Sequence, residues 1–93
     1  MSGPLPSLNA LKAFEATARH RSMTLAADEL CVTHGAISRH IRGLEETLGV
    51  ILVTRRAHST EPTPEGSRLA EGLASAFGLM QATPDRPKVL EVD

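Results

Sequence analysis

Residues 31–49 read CVTHGAISRHIRGLEETLG. If the stretch is helical, His34, Gly35, Ser38, Arg39 and Arg42 share one side, because positions three and four apart are neighbours on a helix. All five are small or basic. A guanidinium is a planar fork of donors that fits the paired acceptors of a phosphate or of a guanine edge. Glycine and serine keep the surface low enough for something bulky to come close. Thr33 and His34 stand at the start of the stretch, where the free N–H groups of a helix also favour phosphate. Arg42, one turn along, is placed for a phosphate or a second base. Further on, Arg55, Arg56 and His58 make a second basic group. The chemistry these residues offer is the binding of an anionic surface.

They do not offer catalysis. The chain has no nucleophile–base pair, no glycine-rich phosphate loop and no metal-ligand cluster, so it is not expected to be an enzyme or to hold a cofactor. His34, His40 and His58 lack the spacing of a helix-face pair, and no thiol or carboxylate joins them, so no metal site is expected. Glu45 and Glu46 occupy consecutive positions and point in different directions. Cys31 is the single cysteine, which excludes an intrachain disulfide; its apolar neighbours predict a small buried core residue.

The net charge of −1 conceals an asymmetry. Residues 1–60 carry a net +2 and residues 61–93 a net −3. The basic groups therefore sit in a locally positive part of the chain. A length of 93 residues suits one small domain. Aromatic residues make up only 2 %, so the core must come from Leu, Ile, Val, Ala and Met, which favours packed helices. No apolar run reaches the ~20 residues of a membrane span. The start, MSGPLPSLN, has no secretory pattern. A cytoplasmic protein is expected.

The positioning elements follow from periodicity and caps. A first helix is predicted from Leu8 to Arg19, capped by Ser7, with Leu8, Leu11, Phe14 and Ala18 in its stripe. A short second helix is predicted from Leu25 to Leu30, capped by Thr24, with Ala26 and Ala27 small enough to admit another helix. The third runs from His34 to Leu48, capped by Thr33. Its inward face is Ile37, Ile41, Leu44 and Leu48, and Gly49 stops it. Val50–Val53 read as a strand. A polar turn follows, and a second strand near Glu61–Thr63, confined to an edge by Pro62. A fourth helix starts at Pro64 with Thr63 as its cap and Glu65 in the first turn. Its stripe is Leu69, Leu73, Phe77 and Met80. Gly66, Gly72 and Gly78 each weaken that helix by about 1 kcal/mol relative to alanine in interior positions.

Three helices, then strand, basic loop and strand, is the order of a mainly α winged helix-turn-helix. The third helix would lie in the major groove of DNA with its N-terminal residues at the base edges. A wing carrying arginines reaches phosphates or a narrow minor groove. One such arginine alone is most often an ordinary solvated charge; the order of elements together with the basic face points to DNA. The alternative is a protein-interaction or dimerisation module that uses the third helix or the Leu69–Met80 stripe.

The run MTLAADELCVTHGAISRHIRGLEETLGVILVTR resembles the DNA-binding domain of LysR-type transcriptional regulators. The resemblance rests on Ala26, Ala27, Leu30, Val32, Thr33, Ala36, Ile37, Ser38, Ile41, Leu44, Glu45, Leu48, Gly49, Leu52 and Arg55, and on Thr63-Pro64-Glu65-Gly66 opening the linker helix. The opening LPSLNALKAFEATARH is similar to the subgroup of glycine-cleavage and tryptophan-operon activators and β-lactamase regulators. The resemblance implies a homodimer, tetrameric in a full-length protein, on an interrupted palindrome in bacterial promoter DNA. DNA contacts would come from Thr33, His34, Gly35, Ser38, Arg39, Arg42, Arg55, Arg56 and His58. Dimerisation would use Leu69, Leu73, Phe77 and Met80.

Residues 1–63 would be the winged domain, 64–82 the linker helix, and 83–93 the start of an interdomain linker. The family continues into a larger effector-binding domain, and this chain ends where that domain would begin. Many members have glutamine at the position of His34, proline at Gly35, phenylalanine at Val53 and leucine at Pro62.

Overall fold

A computed structural model describes residues 6–56 and 59–82. The elements are α1 (Leu8–His20), α2 (Met23–Leu30), α3 (His34–Leu48), β1 (Val53–Arg55), β2 (Thr60–Pro62) and α4 (Pro64–Ala82). The expected winged helix-turn-helix is therefore present, with four helices and a two-stranded antiparallel hairpin among the described residues. No helix among the described residues is long and apolar enough to cross a membrane.

Every helix opens on a hydroxyl cap. Ser7 Oγ accepts from Ala10 N, Ser22 Oγ from Leu25 N, Thr33 Oγ1 from Ala36 N and Thr63 Oγ1 from Gly66 N, at 3.0–3.1 Å. Each bond satisfies an N–H that the first turn leaves without a partner. Ser22, and not Thr24, caps α2, so the helix begins two residues earlier than the sequence predicts. Met23, its first residue, is buried in the core.

At their C-terminal ends α1, α2 and α3 turn through a left-handed residue: Arg21 at φ 55°, Cys31 at φ 59° and Gly49 at φ 73°. Gly49 adopts this freely; Arg21 and Cys31 do so at a cost of about 1 kcal/mol each. Cys31 is exposed, contrary to the buried position expected from its neighbours. Its backbone explains this: as a C-cap its N–H must turn back to the helix carbonyls, which sends the side chain outward.

Helix α1 is the centre of the fold and packs on α2, α3, α4 and β2. It presents Ala10, Ala13, Phe14, Ala16 and Thr17 to the interior, and Ile37, Ile41, Leu44 and Leu52 belong to the same buried core. The alanines allow close helix approach, and Ala26 and Ala27 do the same for α2. The buried Thr17 hydroxyl donates to Ala13 O at 2.8 Å, so it carries no unmet polar group into the core.

The expected strand over Val50–Val53 is displaced. Val50 and Ile51 are exposed and lie outside the sheet, and β1 begins at Val53. The backbone of this stretch bonds elsewhere. Leu52 N and Val53 N donate to Glu45 Oε2, and Leu52 O accepts from Thr63 N. The second strand lies one residue before its predicted place, because Thr63 is taken up as the α4 cap. Pro62 sits opposite Val53 at the end of this edge strand, where its missing N–H is tolerated.

Candidate nucleic-acid interface

The α3 stripe works as the periodicity predicts at Ile37, Ile41 and Leu44, all buried; Leu48 is 41 % exposed at the helix end. Anchoring one face fixes the other. Thr33, His34, Gly35, Arg39 and Arg42 are exposed and Ser38 is half-buried. Thr33 uses its hydroxyl as the cap, so its side chain is held at the helix start. A Cβ on Gly35 would stand 3.7 Å from Arg39 Nη1, which places that guanidinium back along the first turn of α3. Arg42, one turn on, borders a shallow depression with Glu45, Glu46 and Ile51, towards the other end of the helix.

The wing brings its basic residues to the same helix. Arg55 Nη2 donates to Ser38 Oγ at 3.0 Å. Arg56 is exposed, and its N–H closes the hairpin on Ser59 O at 2.8 Å. His58 lies outside the described residues, as does the predicted linker segment 83–93. Thus Ser38 and Arg55 meet, and Arg39 lies over Gly35.

Charge is distributed unequally among the arginines. Arg19 pairs with Glu15 and Glu29, both at 2.9 Å, and Arg21 pairs with Glu61 at 3.3 Å. Among the described residues, no carboxylate pairs with Arg39, Arg42, Arg55 or Arg56. Uncompensated guanidiniums on one side of a small domain create a positive potential that attracts polyanions.

Two residues position the site without being visible as site residues in the sequence. Glu45 receives Leu52 N at 2.9 Å and Val53 N at 3.3 Å, so one carboxylate fastens the start of the wing to α3. Arg21 O accepts from Thr60 N at 3.2 Å, so the turn between α1 and α2 holds the returning strand. A half-polar position beside an apolar stripe is the only sequence signal for Glu45. None marks Arg21, because its role lies in its carbonyl.

The dimerisation candidates divide. Leu69 and Leu73 are half-buried against this chain's own core. Phe77 and Met80 line a groove of about 600 Å³ with Leu8, Leu30 and Ala74, and Met80 is 53 % exposed. Among the described residues, no three His, Cys, Asp or Glu side chains gather as a metal site.

Two helices joined by the tight Cys31–Val32–Thr33 turn, the second with a basic outer face and an arginine-bearing hairpin beside it, define a winged helix-turn-helix DNA-binding module. The family model described as "Bacterial regulatory helix-turn-helix protein, lysR family" matches residues 8–67. The chain belongs to this family and is a helix-turn-helix domain of the LysR type.

Its relatives are transcriptional regulators. The chain is 53 % identical over 77 residues to the regulator TrpI of Pseudomonas aeruginosa, covering 83 % of this chain and 26 % of that protein. It is 53 % identical over 84 residues to the glycine cleavage system transcriptional activator of Escherichia coli, covering 89 % and 28 %. The chain thus spans about a quarter of the length of these relatives. The second is a glycine-cleavage regulator, of the subgroup that the opening residues resemble. A crystal structure of a CbnR_DBD–DNA complex superimposes with a TM-score of 0.77 at 31 % identity, covering 90 % of this chain and 97 % of that one.

Proposed function

We propose that the chain binds promoter DNA sequence-specifically as a homodimer, with α3 in the major groove and the β1–β2 wing against the backbone or minor groove. The observation that carries this reading is the group of uncompensated guanidiniums, Arg39, Arg42, Arg55 and Arg56, on the recognition helix and wing. His34, Gly35, Ser38 and Arg39 face bases or flanking phosphates, Thr33 meets phosphate while capping the helix, and Arg42, Arg56 and His58 add backbone contacts. The likeness to a domain crystallised with DNA supports the same docking.

In this reading residues 1–63 form the DNA-binding unit and 64–82 the dimerisation helix, with Phe77 and Met80 at the joint and Leu69 and Leu73 behind them. Two copies read the halves of an interrupted palindrome. A tetramer and a small-molecule effector belong to a C-terminal domain of the full-length regulator. The protein works in the bacterial cytoplasm, on the nucleoid. Selection from random duplex DNA followed by titration with Arg39→Ala tests the reading. The substitution costs about 1–3 kcal/mol and relaxes one base pair of the selected site. Unchanged affinity and preference would rule out this helix face.

A further inference from the structure

The contact between Arg55 and Ser38 fixes more than the position of the wing. A guanidinium only donates, so Ser38 Oγ must accept in the 3.0 Å bond from Arg55 Nη2. That leaves the serine's single O–H to donate elsewhere. In helices such hydroxyls often turn back to the carbonyl four residues earlier, as Thr17 does to Ala13 O. Among the described residues Ser38 makes no such bond, and Arg55 is its one partner. Ser38 as a residue is half-buried, between the exposed Gly35 and Arg39 on one side and the exposed Arg42 a turn on.

We propose that Arg55 is a positioning residue that biases Ser38 towards donating, so that the pair favours a base-edge acceptor and disfavours cytosine at the position Ser38 faces. This rests on the reading above that α3 enters the major groove. There guanine offers O6 and N7, adenine N7 and thymine O4, whereas cytosine offers only its N4 amino group. An amino group meeting Ser38 finds an oxygen with one lone pair already taken by a positively charged donor, which weakens its remaining acceptor and strengthens its O–H as a donor. An acceptor on the base gains from this and the cytosine amino group loses. Arg55 is thereby assigned to specificity through Ser38, in place of a backbone contact of its own.

The test is selection from a random duplex library with the wild-type chain, Arg55→Ala, Ser38→Ala and the double variant, read by sequencing and by titration of single-base variants of the selected site. Both residues lie outside the buried core, and far-UV circular dichroism checks that each variant is folded. The wild type discriminates against cytosine at one position of each half-site by about tenfold, within the range of a single base contact. Arg55→Ala and Ser38→Ala each bring that position to near parity and leave the other positions as they were, and the double variant adds nothing there. A uniform loss of affinity in Arg55→Ala with an unchanged base profile overturns the proposal and leaves the major-groove reading standing. So do single variants whose profiles change at different positions. A wild-type chain with no sequence preference overturns both.

Discussion

Gly66 and Leu52 touch through their backbones: a Cβ added to Gly66 would stand 2.0 Å from the Leu52 carbonyl oxygen. Only glycine permits the first turn of α4 to press against the loop that enters the wing. Neither backbone can move away cheaply, because Thr63 O accepts from Ser67 N and Thr63 N donates to Leu52 O.

Gly66→Ala therefore destabilises the domain by about 1–3 kcal/mol or more, as overpacking does. Gly72→Ala meets nothing within 4 Å. It stabilises by up to about 1 kcal/mol through helix propensity. Urea unfolding of the two variants should move in opposite directions. A shared sign would mean that Gly66 is not held as described.

Glu45→Ala removes one acceptor from two backbone donors. The loss is about 1–3 kcal/mol, the range for bonds to a charged group. Amide exchange at Leu52 and Val53 should accelerate before the rest of the core does. Glu45→Gln keeps one acceptor oxygen and retains part of both effects. Exchange at these two amides that is unaltered in Glu45→Ala would show that they are protected by something else.

The sequence was most informative where one segment decides its own structure. The stripe of α3, its Thr33 cap and its Gly49 stop are local, and each was legible. The start of α2 was not, because Ser22 and Thr24 are both good hydroxyl caps and the earlier one goes with a Met23 that is buried in the core. The apolar run Val50–Val53 looked like a strand because its residue types favour one. Its backbone groups are instead used by Glu45 and Thr63, which lie on either side in sequence. The same holds for the site. Its basic face could be read from spacing alone, but the bond from Arg55 to Ser38 joins residues 17 apart and exists only once the hairpin has folded back.

Acid should expose the charge cluster behind the site. The Arg19 guanidinium, and after it His20, hold the Glu29 carboxyl down from 4.5 to about 2. A depressed folded-state pKa contributes stability above the unfolded value, and this is lost as pH falls towards the folded one. The window is thus from pH 4.5 down to about 2. The Glu29 side chain is 38 % exposed, so screening keeps the contribution below about 1 kcal/mol. The advantage of the wild type over Glu29→Gln in unfolding free energy should be level near neutrality and shrink through that window. An advantage that grows on acidification contradicts the assignment.

Arg56 is exposed and makes no ion pair among the described residues. If it meets a phosphate, Arg56→Ala weakens binding evenly across sequences and lowers the slope of log affinity against log salt by about 1. Titrations at four salt concentrations on a selected and a scrambled duplex measure both. A change confined to the selected duplex would place Arg56 at a base.

Met80 and Leu73 separate dimerisation from folding. Met80 is exposed, whereas Leu73 packs on the core. If the tip of α4 forms the interface, Met80→Glu should yield monomers in sedimentation that keep the far-UV circular dichroism of the folded domain, whereas Leu73→Asp should unfold at a lower temperature than that monomer. Full-strength dimers of Met80→Glu would remove the tip of α4 from the interface.

Helix α4 rests on the core at its beginning and becomes more exposed towards its end. Gly66 is buried, Leu69, Ala70 and Leu73 rest on the core, and Leu79 is 71 % exposed. Its 19 residues make a rod about 28 Å long. The pivot of this rod is the Thr63 cap, whose side chain also donates to Ile51 O at 2.7 Å. A tilt of about 10° there carries the far tip through about 5 Å for a rod of this length. A displacement of the outer end of α4 is therefore passed through Thr63 to the Ile51–Leu52 segment, which leads directly into β1 and Arg55.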